Sequence, residues 1–505
     1  MNRKGARSGT GDRRRDPVLR VHARQWRGCD VLNASSRSLG TPEPKPGPCP
    51  LGAGDGERAR GGLAGPAGAA MVPLLRGTAR AMCPAEPIAC SGVLCTMSRY
   101  PSRPSPLRPP VEFPVDDGGL VAFARQLAKT PSVSSNEALA VEAAADQMRL
   151  LGFDSVEVDD VGNCTGVIGS GKAPRLLIDG HVDSIPLHSS ERWTIDPFGA
   201  CVVDGRLYGL GVCDQKASVA AAIFGVAAAR RALGELFGTV AVVASVNEED
   251  MEGAALQSVA ERFEPTFAIT SEPSGTRLCI GHRGRARVAA TVTGRPCHAG
   301  YASLGVNAAE ALAALVSEVR GLAHPTHLRL GRRDITCIDM TSWPYPSLAT
   351  VPGRALARFD ARLLPDETPE SLLATIEHAA QRAWTGWDEQ PGFEVAIVLA
   401  EFKTWTGRAF SVPEFSAAWW TDEASPFVTR AARALASQGL DPTPTYYTFC
   451  TNGSYLAGQA GIPTIGFGVG EGHMAHQVDE HVTLESLTKG AKGFAAIAAE
   501  LLGGR

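Results

Sequence analysis

Leu176-Leu177-Ile178-Asp179-Gly180-His181-Val182-Asp183 is a short apolar run that ends abruptly in an acid, a glycine, a histidine and a second acid. A run of this length without alternation reads as a strand buried on both faces, as parallel strands covered by helices are. In an open α/β sheet, ligands gather outside the carboxyl ends of the strands, which is where Asp179, His181 and Asp183 fall. The same grammar recurs outward. Arg175 to Ile178, Thr239 to Val246, Thr266 to Thr270 and Pro463 to Phe467 read as buried strands, and Ala217 to Leu233 and Ala254 to Phe263 as helices. Upstream, apolar residues keep helical spacing from Leu120 to Leu151, and Gly152 stops the run before the strand Ser155 to Val158. This alternation predicts an α/β fold with a central, mostly parallel sheet.

The middle of the chain has a different rhythm. Arg285 to Thr293 alternates, Ala308 to Val319 is helical, Arg354 to Leu363 alternates and Ser371 to Ala383 is helical, which predicts a compact α+β insertion. The first pattern then returns with helices at Glu423 to Ser437 and Leu484 to Leu502. The expected organisation is a sheet domain over 111–284 and 401–505, interrupted by the insertion over 285–400.

The chain has 505 residues, 44% apolar, and a formal charge of −4, a near balance that argues against a dedicated nucleic-acid binder. No uninterrupted apolar stretch reaches the ~18 residues of a membrane span. The average hides two pieces. Residues 1–96 hold 15 Lys+Arg against 7 Asp+Glu, with 15 Gly and 10 Pro and no apolar period, so a disordered extension is expected over 1–110. A translation start at Met97 would explain it. No export signal is evident, and the twelve cysteines form no close CxxC pair, so reduced thiols in the cytoplasm are expected.

The polar residues after each strand are mostly acids and histidines: Asp179, His181 and Asp183; Asp214; Glu248 and Glu249; Glu272; His473 and His476. One carboxylate at a strand end often only caps the next helix. Five such ends at one sheet edge would repel and desolvate one another unless a cation sat among them. Imidazole with carboxylate suits zinc, with cobalt or manganese as alternatives, and the donors suffice for two ions. The spacing of His181 and Asp183 lets Asp183 accept the ring proton of His181. Glu248 and Glu249 must point apart on extended backbone, which suits one as ligand and the other as base.

These residues, with Trp193, Asp196-Pro197-Phe198, Gly205-Arg206-Leu207-Tyr208-Gly209, Ser271-Glu272-Pro273 and Cys297-His298-Ala299-Gly300, resemble the aminoacylase, acetylornithine deacetylase and succinyl-diaminopimelate desuccinylase metallopeptidases. The likeness runs from about Leu120 to the C-terminus. It is closest to the YgeY-like selenium-metabolism-linked hydrolases through Gln215, Glu248-Glu249-Asp250, Thr404-Trp405-Thr406-Gly407, Thr451-Asn452-Gly453 and Ile462 to Gly468. The resemblance implies a zinc-peptidase-like catalytic domain with a lid that serves for homodimerisation. It also implies two Zn2+ ions, or Co2+ or Mn2+, per subunit. Asp214 would bridge them, His181 and Glu272 would complete one, and Glu249 and His476 the other. His473 competes with His476 on spacing alone, but the order of residues after His476 matches the family better. Glu248 would be the general base and His298 the lid histidine that polarises the substrate carbonyl, commonly across subunits. Asn452 and Gly453 would line the substrate pocket. The lid segment Ala349-Thr350-Val351-Pro352 lacks an Asn common in relatives, which leaves a carboxylate-binding role for lid arginines open.

The chemistry expected is hydrolysis of an amide bond in an N-acyl amino acid or small peptide. The alternatives are an inactive metal-binding scaffold of the same fold and a metallohydrolase of another C–N bond, such as a cyclic amide.

Overall fold

The computed structural model describes residues 111–503. The extension expected over 1–110 lies outside the described residues. A nine-stranded sheet dominates, in the order 155–158, 164–168, 239–245, 175–181, 267–270, 464–466, 279–282 and 419–420, with 445–447 also paired to 279–282. Its four central strands, from 239–245 to 464–466, are parallel, as the apolar runs predict. The flanks are antiparallel: 155–158 with 164–168, 164–168 with 239–245, and 279–282 with 464–466 and 419–420. The sheet is therefore mixed. Short links such as that between Val158 and Cys164 join neighbouring strands head to tail, where a parallel pair would need a crossover of a dozen residues or more.

Successive residues of the central strands face opposite cores. Leu176, Ile178, Val240 and Val242 enter the larger core with the helices Ala217–Leu233 and Leu484–Leu502. Leu177 and Val243 enter a smaller one with Leu256, Val259 and Ala260. Both faces are thus covered, and that is why these strands carry no polar alternation. The stretch Val212–Leu233 is long and apolar enough to cross a membrane, but its residues from Val212 to Ala229 are buried inside the protein.

The helical run expected from Leu120 to Leu151 is two helices, Asp117–Lys129 and Ala138–Leu150. Pro131 excludes helical backbone at Thr130, which is extended at φ −91° and ψ 106°. Asp116 caps the first helix by accepting from the Gly119 amide at 3.0 Å.

The insertion has its own sheet, in the order 334–343, 354–363, 284–293 and 392–397, with 415–416 also paired to 284–293. Alternate residues Ala286, Val288, Ala290 and Val292 pack with Ala357, Phe359 and Ala361 against the helices Ala308–Arg320 and Pro369–Ala383. Asn307 and Thr368 cap those helices. The chain returns to the large sheet between Ser416 and Trp419, after a two-stranded hairpin of 399–403 and 409–413.

Candidate metal centre

His181 ends its strand, Glu248 and Glu249 follow the strand Thr239–Ser245, and Glu272 follows Phe267–Thr270. Three adjacent parallel strands thereby deliver imidazole and carboxylate groups from their carboxyl ends to one edge. The approach is close: a Cβ at Gly180 would fall 2.3 Å from Ser271 Oγ, so only glycine fits beside His181. Asp214 lies in the turn Val212–Lys216 that feeds the helix Ala217–Leu233, and His476 in the loop after Thr464–Gly466.

His181 Nε2 is 3.2 Å from Asp214 Oδ1, 3.8 Å from Glu248 Oε2 and 3.9 Å from Glu272 Oε1. His476 Nε2 is 3.0 Å from Glu249 Oε1 and 3.4 Å from Asp214 Oδ2. The two oxygens of Asp214 thus face different histidines, the arrangement a bridging carboxylate needs. Donor atoms of His181, Glu248 and Glu272 lie within 4.8 Å of one another, as do those of His181, Asp214 and Glu249. Glu248 therefore stands among the ligand-type groups, within reach of whatever they hold. His473 belongs to the short turn Gly472–Met474, whereas His476 meets the carboxylates.

The electrostatics suit a cation. Burial, and then the charge of Glu272, push the Glu248 carboxyl well above its ordinary range; burial and the charge of Asp214 do the same to Glu272. Burial opposes a charged His181, but hydrogen bonds to Asp183 and Asp214 hold its pKa well above 6.5. The hydrogen bond to Glu249 raises His476 to about 9. Glu248 Oε1 and Glu272 Oε1 are buried without a hydrogen-bond partner. Protons held by crowded carboxylates and imidazoles, with orphaned oxygens among them, mark a donor set that fits divalent metal.

Around this set lies a shell that spacing only partly revealed. His181 Nδ1 is 3.0 Å from the main-chain carbonyl of Asp183 and 3.4 Å from its Oδ1, so the carbonyl is the nearer acceptor of the ring proton. The Asp183 carboxylate accepts chiefly from elsewhere: Ser134 Oγ at 2.8 Å and the amides of Glu248 and Glu249 at 3.3 and 3.1 Å. It fixes the two glutamates more than the imidazole. Glu480 was not foreseen. The antiparallel pairing of His481–Thr483 with Arg206–Tyr208 sets its buried carboxylate under the Asp214 turn, where it accepts from the amides of Gly211, Cys213 and Asp214. The only sequence signal was its place four residues after His476. Lys216 is also fully buried and donates from Nζ to the Thr130 carbonyl at 2.9 Å.

Asn452 and Gly453 are both buried. Asn452 Nδ2 donates to Asp179 at 2.8 Å, and its Oδ1 accepts from the Gly253 amide at 2.6 Å. Gly453 packs against the Trp419 indole. His298 lies on the insertion, immediately before the short turn Ala299–Leu304. It is exposed, accepts from the Gly300 amide at Nδ1 and bridges to Thr350 through its backbone.

The family described as Peptidase family M20/M25/M40 matches residues 177–500, a span that includes every group of the cluster. The uncharacterized protein YgeY of Escherichia coli K12 is 30% identical over 390 residues, covering 75% of this chain and 93% of that protein. The succinyl-diaminopimelate desuccinylase of Rhodospirillum centenum is 29% identical over 60% of this chain and 85% of its own length. Among solved structures, Bacillus subtilis YXEP, described as a dinuclear metal binding peptidase, superposes with a TM-score of 0.58 at 15% identity, over 76% of this chain and 98% of its own. With a family match over well over half its length and a cluster built from the strand ends inside it, the chain belongs to peptidase family M20/M25/M40.

Proposed function

We propose that the protein is a metal-dependent amidohydrolase that cleaves an amide bond of an N-acyl amino acid or small peptide. The observation that carries this reading is Asp214, whose two oxygens face His181 and His476 at 3.2 and 3.4 Å, with three more carboxylates around them. His181 and Glu272 would hold one ion, Glu249 and His476 the other, with Asp214 shared; zinc suits the donors, and cobalt or manganese are alternatives. Bound divalent ions lower the pKa of water and polarise a carbonyl oxygen. Glu248 then takes the proton of the attacking water and passes it to the departing nitrogen.

His298 would donate a hydrogen bond to the carbonyl oxygen as charge develops there. Its exposed place on the insertion favours delivery across a homodimer. The edge strand Asp334–Trp343 supports that assembly, since it presents Ile338 and Met340 to solvent at 53% and 47% exposure. The test is a panel of N-acyl amino acids and dipeptides offered to protein stripped by chelator and reloaded with zinc, cobalt or manganese. Amine release that appears only on reloading is expected. Metal uptake with no amine released from any substrate would favour the inactive scaffold.

A further inference from the structure

The loop 246–256, which carries Glu248 and Glu249, is held on one side by the sheet domain. Asn163 accepts from the Val246 amide and donates to the Ala255 carbonyl. Glu137 accepts from the Asn247 amide, Asp183 from those of Glu248 and Glu249, and Asn452 from that of Gly253. One side chain of the loop reaches the other way. The Glu252 carboxylate receives Arg285 Nη2 at 2.9 and 2.8 Å and Ser416 Oγ at 2.7 Å.

Those two partners mark the crossings between sheet domain and insertion. Arg285 lies at the start of the insertion's first strand, Gly284–Thr293, and Ser416 pairs with it in register on the return. Three residues further on, Trp419 pairs with His282 of the large sheet. The outgoing and returning chains thus run side by side between 282 and 419. They touch backbone to backbone, since a Cβ at Gly284 would fall 2.4 Å from the Ser416 carbonyl oxygen. Glu252 grips both chains of this hinge at once, in a setting where its side chain is only 11% exposed.

We propose that Glu252, Arg285 and Ser416 form a hinge clasp that transmits the orientation of the insertion to the loop bearing Glu248, making Glu252 and Arg285 positioning residues for the reaction. The inference rests on the amidohydrolase reading for its kinetic part alone. A carboxylate held by a guanidinium and a hydroxyl in a mostly dry setting is fixed in direction, and Glu252 lies four residues from Glu248 along a tight run of turns. When the insertion rotates about 282–285 and 416–419, the clasp obliges the loop to follow. None of the metal-ligating groups is part of the clasp, so breaking it should leave the ions in place.

The test is a double-mutant cycle of Glu252→Ala and Arg285→Ala on metal-loaded full-length protein, with Arg285→Lys as the milder variant. Each single change should lower kcat about tenfold, the scale of one charge-assisted hydrogen bond, with KM and the bound metal count unchanged. The double variant should be no worse than the poorer single, because both changes break one clasp. Arg285→Lys, which keeps the charge but places it on a more strongly hydrated, more mobile end group, should fall between wild type and Arg285→Ala. Amide hydrogen exchange across 247–252 should quicken in Arg285→Ala, a readout that needs no substrate and stands if no amide is cleaved. Additive losses, loss of metal, or unchanged exchange across 247–252 would overturn the proposal.

Discussion

Asp183→Asn changes no volume, yet it should disturb the centre through one buried contact. The carboxylate accepts from the Glu248 amide at Oδ1 and from the Glu249 amide and Ser134 Oγ at Oδ2. An asparagine has one acceptor oxygen, so either the Glu248 amide, or the Glu249 amide and Ser134, must face an NH2 group. Asp183 is fully buried, shut off from bulk solvent. A lost hydrogen bond to a charged group is worth about 1.5–3 kcal/mol, and a donor left facing a donor adds to it. Metal-free protein should therefore lose about 2–3 kcal/mol of unfolding free energy. Metal affinity should fall about 10–100-fold, the usual cost of removing a group that orients a ligand. Urea unfolding of the metal-free protein and competition against a chromophoric chelator measure the two effects. Affinity within twofold of wild type would refute the role given to Asp183 in fixing Glu248 and Glu249.

Two further outcomes follow from other groups. Glu137 is buried with Oε2 unpartnered, and burial raises its pKa from 4.5 to about 7. Because the folded pKa is the higher one, its contribution to stability is fully present below about pH 4.5 and is lost as pH rises through 7. Glu137→Gln should match wild type near pH 4.5 and exceed it at pH 8 by up to about 3 kcal/mol in chemical unfolding, and equal curves at pH 8 would contradict that account. His298→Ala should lower kcat about 100-fold with little change in KM; a rise in KM alone would make His298 a binding residue.

Much of this was legible in sequence because strand ends are read locally. Leu176 to Asp183 shows a buried strand and the residues it delivers, and the same holds for Thr239 to Glu249. Asp214 and His476 lie on turns. Both were noted because they follow strands, but their roles, and the choice of His476 over His473, came from the likeness to known metallopeptidases; the short sheet of 202–203, 206–208 and 481–483 ties the two turns together. What sequence hid is long-range and polar. Glu480 meets Gly211 across 269 positions, and Asn452 meets Asp179 across 273, distances at which no periodicity speaks. The antiparallel flanks were missed for a similar reason: buried strands such as Cys164–Ile168 and Cys279–His282 have one pattern whichever way a neighbour runs.

The central claim is that five side chains from separate strands and turns hold two ions beside one glutamate base. It is tested most directly by metal analysis and single-turnover amide cleavage on wild type and Glu248→Gln side by side. The account predicts two divalent ions per chain in both proteins and a rate at least about 1,000-fold lower in the variant. A variant that keeps both ions and cleaves within tenfold of wild type, or a wild type that binds none, would contradict it.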